Sequence, residues 1–248
     1  MTIQVLDTAA DAARAVAAIV ARRLTREPGL VLGLPTGRTS VGVYAELARL
    51  HAAGRADFAR AHTVNLDEFL GLRPADPGSF RGFMQAHLFR HVNLPRTHAH
   101  FLNGRARDVV AECRRFERRI ADLGGIDLQL LGLGANAHIG FNEPGGRLHA
   151  RTHRARLTDG TRRANAAEFG GRAAAVPREA LTMGMATILD ARSIVLLATG
   201  RAKARAVASL VTGDITTRRP ASFLQLHRDV HVIVDSAAAA FVNTLSRK

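Results

Sequence analysis

The densest run of proton-handling side chains in this 248-residue sequence is Asn136-Ala137-His138-Ile139-Gly140-Phe141-Asn142-Glu143. An imidazole and a carboxylate held close in an irregular loop can pair, and such a pair raises the basicity of the histidine or shuttles a proton. The apolar run 126–131 that enters the loop reads as a buried strand, and Gly132 and Gly134 turn the chain at its carboxyl end, where open α/β sheets hold their ligands. Gly132-x-Gly134-x-x-Ala137 also fits a dinucleotide fingerprint, but that motif opens a helix and the Phe-Asn-Glu-Pro-Gly-Gly continuation is a poor helix start. A His138 that merely satisfies a structural hydrogen bond is the plainer alternative. Pairing with Glu143 is the favoured reading.

Two further sets of residues carry chemistry. Pro35-Thr36-Gly37-Arg38-Thr39-Ser40 follows an apolar strand and precedes a helix, so hydroxyls, free backbone N–H groups and the positive end of a helix converge there. That combination binds anions. It is not a nucleotide P-loop, because the required Gly-x-x-x-x-Gly-Lys-Ser/Thr spacing is not met. A second strand-to-helix turn, Thr199-Gly200-Arg201-Ala202-Lys203, puts a lysine in a first helical turn, where it opposes the helix dipole unless an anion is near. The chain uses thirty-three arginines but only two lysines, Lys203 and Lys248, and an internal lysine kept against that background suits a site that needs a compact ammonium. Asp67 and Glu68 end a third strand. Sequence leaves open whether they form a solvated loop, a helix cap, or a general base facing the same pocket as His138.

Other polar groups carry less. His87, His91, His98 and His100 invite a zinc reading, but they straddle a helix and a proline-containing loop with no cysteine or carboxylate cluster, so surface histidines are preferred and no metal is expected. The formal charge of +14 favours acidic partners. The arginines are scattered singly or in pairs, without an aromatic-interleaved stripe, so phosphorylated metabolites are favoured over nucleic acid. Hydrophobic residues make up 47% of the chain, which is a globular composition. No run of about twenty apolar residues is present, so no membrane span is expected. The single Cys113 fits a reducing compartment, and cytoplasm is the expectation.

The elements that must position these groups alternate. Strands are expected at 3–6, 30–34, 62–66, near Phe101, and at 126–131, 152–157, 193–198, 223–226 and 230–234. Helices are expected over 9–23, 41–53, 79–92, 107–123 and 159–169, after Met185, from about Lys203, and at the C-terminus. This pattern predicts an α/β fold: one open, doubly wound, mostly parallel sheet with helices on both faces. A single domain over 1–248 is expected. The polar helix near 159–169, closed by Gly170-Gly171, reads as a mobile lid over about 158–175.

Taken together, Gly33-Leu-Pro-Thr-Gly-Arg-Thr, Asn65-Leu-Asp-Glu-Phe, Gly132-Leu-Gly-Ala-Asn-Ala-His-Ile-Gly-Phe-Asn-Glu-Pro and Gly200-Arg-Ala-Lys resemble the glucosamine-6-phosphate deaminase family, collinearly over nearly the whole chain. The likeness includes Ala180-Leu-Thr-Met-Gly and Leu224-Gln-Leu-His. It implies a cofactor-free aldose–ketose isomerisation with loss of ammonia. It also implies that His138, paired with Glu143, assists ring opening and that Asp67 moves the proton from C2 to C1. Thr36, Gly37, Arg38, Thr39 and Lys203 would hold the phosphate. Three positions depart from the pattern. Asn136 stands where many members have Asp, and is expected to accept from the imidazole N–H and alter the pH dependence. Ala167 stands where the family places a lid arginine, with Arg38 as its replacement. The segment 153–156 and the short C-terminus lack the features of allosterically activated members, so no activation by N-acetylglucosamine 6-phosphate is expected. Galactosamine 6-phosphate as substrate, a 6-phosphogluconolactonase-like hydrolase and a catalytically decayed sugar-phosphate sensor stay as alternatives, and monomer and homo-oligomer are both open.

Overall fold

The computed structural model describes residues 1–242. The first strand, β1 (Thr2–Leu6), runs into α1 (Ala9–Arg26), whose N-cap Thr8 accepts from the backbone N–H of Asp11. Ala12, Val16, Val20 and Leu24 recur at helical spacing and are buried. Then follow β2 (Val31–Leu34), α2 (Arg38–Ala52), β3 (His62–Asn65), β4 (Asp67–Phe69) and α3 (Phe80–His87). The middle of the chain supplies β5 (Ala99–His100), α4 (Val109–Asp122), β6 (Leu128–Gly132), β7 (His153–Arg156) and α5 (Asp159–Ala164). The last units are β8 (Glu179–Thr182), α6 (Met185–Leu189), β9 (Ser193–Ala198), α7 (Ala204–Thr212) and β10 (Val230–Asp235).

Seven strands form one parallel sheet in the order β1-β10-β9-β6-β2-β3-β5. The near-continuous apolar sequences of β9 and β10 are what a parallel sheet covered on both faces requires. Helices α1, α2 and α3 pack over one face through Val16, Val20, Tyr44, Leu47 and Met84. Helices α4, α6 and α7 cover the other through Phe116, Ile188, Val207 and Leu210. From β2 the chain steps outward to β3 and β5, then returns to place β6 on the opposite side of β2 and continues the other way through β9 and β10. The carboxyl ends of β2 and β6 therefore flank the switch point, where such sheets open a ligand crevice.

Four expectations need correction. A second, three-stranded antiparallel sheet, β4-β8-β7, sits beside the main one, and Asp67-Glu68 belong to its first strand. Residues 220–226 form a 3₁₀ segment (Pro220–Leu226), not a strand at 223–226. Pro220 lacks an N–H for a ladder, and Ala221 and Leu224 are buried three residues apart, a spacing that suits a turn of helix and not a strand face. The helix expected over 79–92 stops at His87 and continues as a 3₁₀ turn (Phe89–His91). That expected over 159–169 breaks at Asn165, whose side chain donates to the Thr161 carbonyl, and resumes as Ala166–Phe169. The closing helix is represented by turns over 236–241, and its remainder, with Lys248, lies outside the described residues.

Candidate active site

A cavity of about 1090 Å³ opens at the switch point. Thr36, Gly37, Arg38, Thr39, Asp67, Asn136, His138 and Lys203 all line it. Glu143 does not, and stands behind His138. The segments read separately from sequence thus meet in one place. The segment expected to act as a lid contributes Gly160, Thr161, Ala164, Asn165, Ala167 and Glu168, so it forms a wall of the cavity, and none of these lining residues is a cation.

The end of the cavity expected to take an anion is built from two strand-to-helix turns. Gly37, at φ +101°, turns the chain off β2 into α2, whose first turn has no acidic residue and no side-chain cap. The Ser40 N–H is taken by the Gly37 carbonyl, which leaves the first N–H groups of α2, at Arg38 and Thr39, for a ligand. Tyr44, the chain's single tyrosine, is buried one turn on and donates to the Pro35 carbonyl, pinning the loop from below. On the second strand-to-helix turn, both Asp235 oxygens accept from the Gly200 N–H at 3.0 Å, and Lys203 closes a 3₁₀ turn (Arg201–Lys203) ahead of α7. Burial and the neighbouring Arg38 charge hold the Lys203 ammonium below its usual range. Two cations that raise each other's energy in one cavity make a place for a doubly charged anion.

The proton-handling end is formed by the loop after β6 and by β4. Gly134 has no room for a side chain, because a Cβ there would meet the His138 ring at 2.5 Å. Gly140 adopts φ +54°, and a Cβ on it would stand 2.9 Å from Thr182 Oγ1 and 3.8 Å from Asp67 Oδ2. The loop is fastened to β8: the Phe141 N–H donates to Thr182 Oγ1, and Asn142 Nδ2 donates to the Ile139 and Met183 carbonyls. Asp67 is buried, and its carboxylate has no hydrogen-bond partner among the described residues. Burial, and then the adjacent Glu68 charge, push its carboxyl up to about 8. Glu68 plays a different part. It accepts from the backbone N–H groups of Phe69, Phe80 and Arg81 and so caps α3. The two carboxylates left open by sequence are resolved into one cap and one group facing the cavity.

His138 Nδ1 lies 3.6 Å from Glu143 Oε2, just beyond hydrogen-bonding range. Asn136 does not accept from the imidazole: its Oδ1 takes the His138 backbone N–H at 3.3 Å and its Nδ2 donates to Glu143 Oε2 at 2.9 Å. Asparagine can make that second bond and an ionised aspartate cannot, since it has no donor. Thr161 Oγ1 donates to Glu143 Oε1, and Thr158 Oγ1 lies 3.3 Å from the same oxygen. Burial raises the Glu143 carboxyl, but the His138, Thr161 and Asn136 contacts outweigh it and bring it down to about 2. Sequence reading missed Tyr44, Thr158, Thr161, Thr182 and Asp235. Only Tyr44, as the lone tyrosine, and Thr182, inside the Ala180-Leu-Thr-Met-Gly string, carried any signal. Of the histidines weighed for zinc, His98 and His100 stack with His62, while His87 packs apart from them against Phe83.

Comparison with known proteins gives a consistent result. A family model described as glucosamine-6-phosphate isomerases/6-phosphogluconolactonase matches residues 5–233. A glucosamine-6-phosphate deaminase of Halothermothrix orenii is 44% identical over 242 residues, covering 98% of this chain and 100% of the relative. Another, from a Geobacillus species, is 47% identical over 230 residues, 93% of this chain and 91% of the relative. The solved structure of a monomeric glucosamine-6-phosphate deaminase superposes with a TM-score of 0.94 at 43% identity, covering 97% of this chain and 99% of that one. A 6-phosphogluconolactonase of Trypanosoma brucei matches with a TM-score of 0.74 at 19% identity, which is a likeness of fold.

Proposed function

The chain belongs to the glucosamine-6-phosphate isomerase/6-phosphogluconolactonase family, and from that premise we propose that it is a glucosamine-6-phosphate deaminase. It converts the amino-sugar phosphate into fructose 6-phosphate and ammonia by a ketol isomerisation. The observation that carries the reading is a single cavity with a carbon-acid base at one end and an uncapped helix start with two cations at the other.

The phosphate binds between Arg38, Thr39 and Lys203, which fixes C1 and C2 at the opposite end of an open-chain sugar. His138 takes the proton from the anomeric hydroxyl and returns one to the ring oxygen, opening the pyranose. Glu143 stays ionised behind it and stabilises the imidazolium that forms. Asp67 then removes the C2 proton, giving an enolamine across C1 and C2, and hands the proton to C1. The resulting C2 iminium is hydrolysed by water, which supplies the ketone oxygen as ammonia leaves. The substrate's own ammonium, bound beside Asp67, adds the opposite charge that draws this buried carboxyl back to its ionised form.

The phosphate grip comes from the body of the fold, because Ala167 and Glu168 are the residues the lid's 3₁₀ turn offers the cavity. Arg38 supplies the second cation that a lid arginine would otherwise bring. Ammonia release from glucosamine 6-phosphate and galactosamine 6-phosphate, run in parallel on the protein and on Asp67→Asn, tests the proposal. Turnover of the gluco sugar that disappears in the variant is expected. Binding of both sugars with no turnover of either would leave a sugar-phosphate sensor, and the mechanism would be wrong.

A further inference from the structure

A base that carries a proton from one carbon to the next needs its carboxyl held in one orientation while its charge changes. Among the described residues, few side chains near Asp67 can hold it. Glu68, beside it in β4, is an acceptor committed to α3. Tyr44, whose hydroxyl senses the Asp67 charge from α2, donates to the Pro35 carbonyl. Asn142 Nδ2 gives its protons to the Ile139 and Met183 carbonyls. Thr182 is different. It stands directly opposite Asp67 in the antiparallel pairing of β4 with β8, so the two side chains share a face with Cβ atoms roughly 5 Å apart. A Cβ on Gly140 would lie 2.9 Å from Thr182 Oγ1 and 3.8 Å from Asp67 Oδ2, so both oxygens border the space that glycine leaves open. Thr182 is fully buried, and a hydroxyl has one proton and two lone pairs. One lone pair accepts from the Phe141 N–H at 3.0 Å, while the proton reaches only the Met183 carbonyl at 3.5 Å, the outer limit of a hydrogen bond. One acceptor and one weakly used donor are left.

We infer that Thr182 is a positioning residue of the deaminase site, its hydroxyl holding Asp67 Oδ2 in both charge states so that Oδ1 is presented to C2 and C1. The inference deepens the proposed function and rests on it for the chemistry, though not for the contact. A side-chain torsion of Asp67 brings the two oxygens together. While the carboxyl is neutral, Oδ2–H donates to Thr182 Oγ1. Once the substrate's ammonium has drawn Asp67 to its ionised form, the hydroxyl turns and donates to Oδ2. During turnover Oδ1 takes the C2 proton and delivers it to C1, which regenerates the carboxylate, and Oδ2 keeps its bond to Thr182 throughout. Because the hydroxyl serves both forms, it acts on the orientation of the base and leaves its acidity where burial sets it. The same hydroxyl fastens the His138 loop to β8 through Phe141, so base and ring-opening histidine are registered on one residue.

The test uses Thr182→Val, which keeps the shape and removes the hydroxyl, and Thr182→Ser, which keeps the hydroxyl, both in the full-length protein. With glucosamine 6-phosphate, kcat should fall about tenfold or more in Thr182→Val, the worth of one hydrogen bond to a charged group, with KM changed less than about threefold. Thr182→Ser should stay within about threefold of the parent in both constants. Thr182→Val also leaves the Phe141 N–H without its acceptor, so a thermal-melt cycle with Asp67→Ala separates the two contacts. The Phe141 loss is common to both backgrounds. Thr182→Val should therefore lower the melting temperature by about 2–4 °C more in the parent than in Asp67→Ala, the size of one hydrogen bond in a chain of this length. Should Thr182→Val fail to fold, Thr182→Ala reads the same way. Equal melting shifts in the two backgrounds would overturn the inference. So would a serine variant as slow as the valine, or a rise in KM as large as the fall in kcat. A parent that turns over no amino-sugar phosphate would defeat the proposed function, while the melting cycle would still decide the contact.

Discussion

Asp67 is asked to be a base from a position that favours its neutral form. Burial holds its carboxyl up to about 8, against 3.8 for an ordinary aspartate. The folded protein therefore binds this proton more tightly than the unfolded chain does. Its contribution to stability is full below the unfolded value and is lost as pH rises through about 8. Asp67→Asn should accordingly unfold at a higher temperature than the parent near pH 8, by a few degrees in a thermal melt, while kcat falls by roughly 10³-fold. In the parent, kcat/KM should drop about tenfold per pH unit below 8, and the acid limb of kcat should lie at least one unit lower, because the bound ammonium favours the ionised base. Coincident limbs would mean that the substrate's charge is not beside Asp67. Arg38 answers a different question. If it grips the phosphate in place of a lid cation, Arg38→Ala should lower kcat/KM roughly 10- to 100-fold, the worth of one or two charge-assisted hydrogen bonds. A loss of less than threefold in steady-state assays would return that role to Lys203 and the helix start alone.

At the scale of elements, the sheet edge formed by β3 and β5 carries a feature with no part in catalysis. His62 stacks on His98 at 4.0 Å between ring centres and on His100 at 5.5 Å. Arg119 and Arg115 of α4 face the same group. Burial first, then Arg119 and the other imidazoles, pull His100 down to about 4, and burial, His98 and Arg119 pull His62 in the same direction. A histidine held neutral in the fold but free to charge when unfolded gives stability that is complete above its unfolded value near 6.5 and is lost as pH falls toward 4. After allowance for solvent screening this edge is worth about 1 kcal/mol, or roughly 2–4 °C, between pH 7 and pH 5. His100→Phe should flatten that part of the melting-temperature profile. An unchanged slope would show that the stack is exposed enough to titrate normally.

For the whole molecule, the formal charge of +14 and the paired cations in the cavity set how anions arrive and what they do to stability. Association of a phosphorylated sugar should weaken as ionic strength rises, since charges more than about 8 Å apart are screened at physiological salt. A ligand that binds only the folded chain stabilises it by about 2.7 kcal/mol at a hundred times its Kd. Fructose 6-phosphate at that excess should therefore raise the melting temperature by roughly 5–10 °C. Fructose without the phosphate should leave it unchanged. Equal shifts from both would place the binding energy on the sugar hydroxyls and not on Arg38 and Lys203.

Much of the molecule was already written along the chain. Apolar runs of four to six residues alternating with 3.6-period helices determined the doubly wound parallel sheet, because each element's burial pattern is local information. The strings around Thr36, Asp67, His138 and Lys203 marked the groups that line the cavity, since turn glycines and helix starts declare themselves within a few residues. Tertiary structure alone decided the rest. The antiparallel β4-β8-β7 sheet joins segments more than a hundred residues apart, and its strands are too short to carry a pattern. Glu68 and Asp67 are neighbours of one type, and only the packing of α3 makes the first a cap and leaves the second facing the cavity. Whether Asn136 serves the imidazole or the carboxylate, and whether Thr158 and Thr161 at the start of α5 reach Glu143, depends on side-chain directions fixed by the whole fold. No spacing in a sequence encodes those directions.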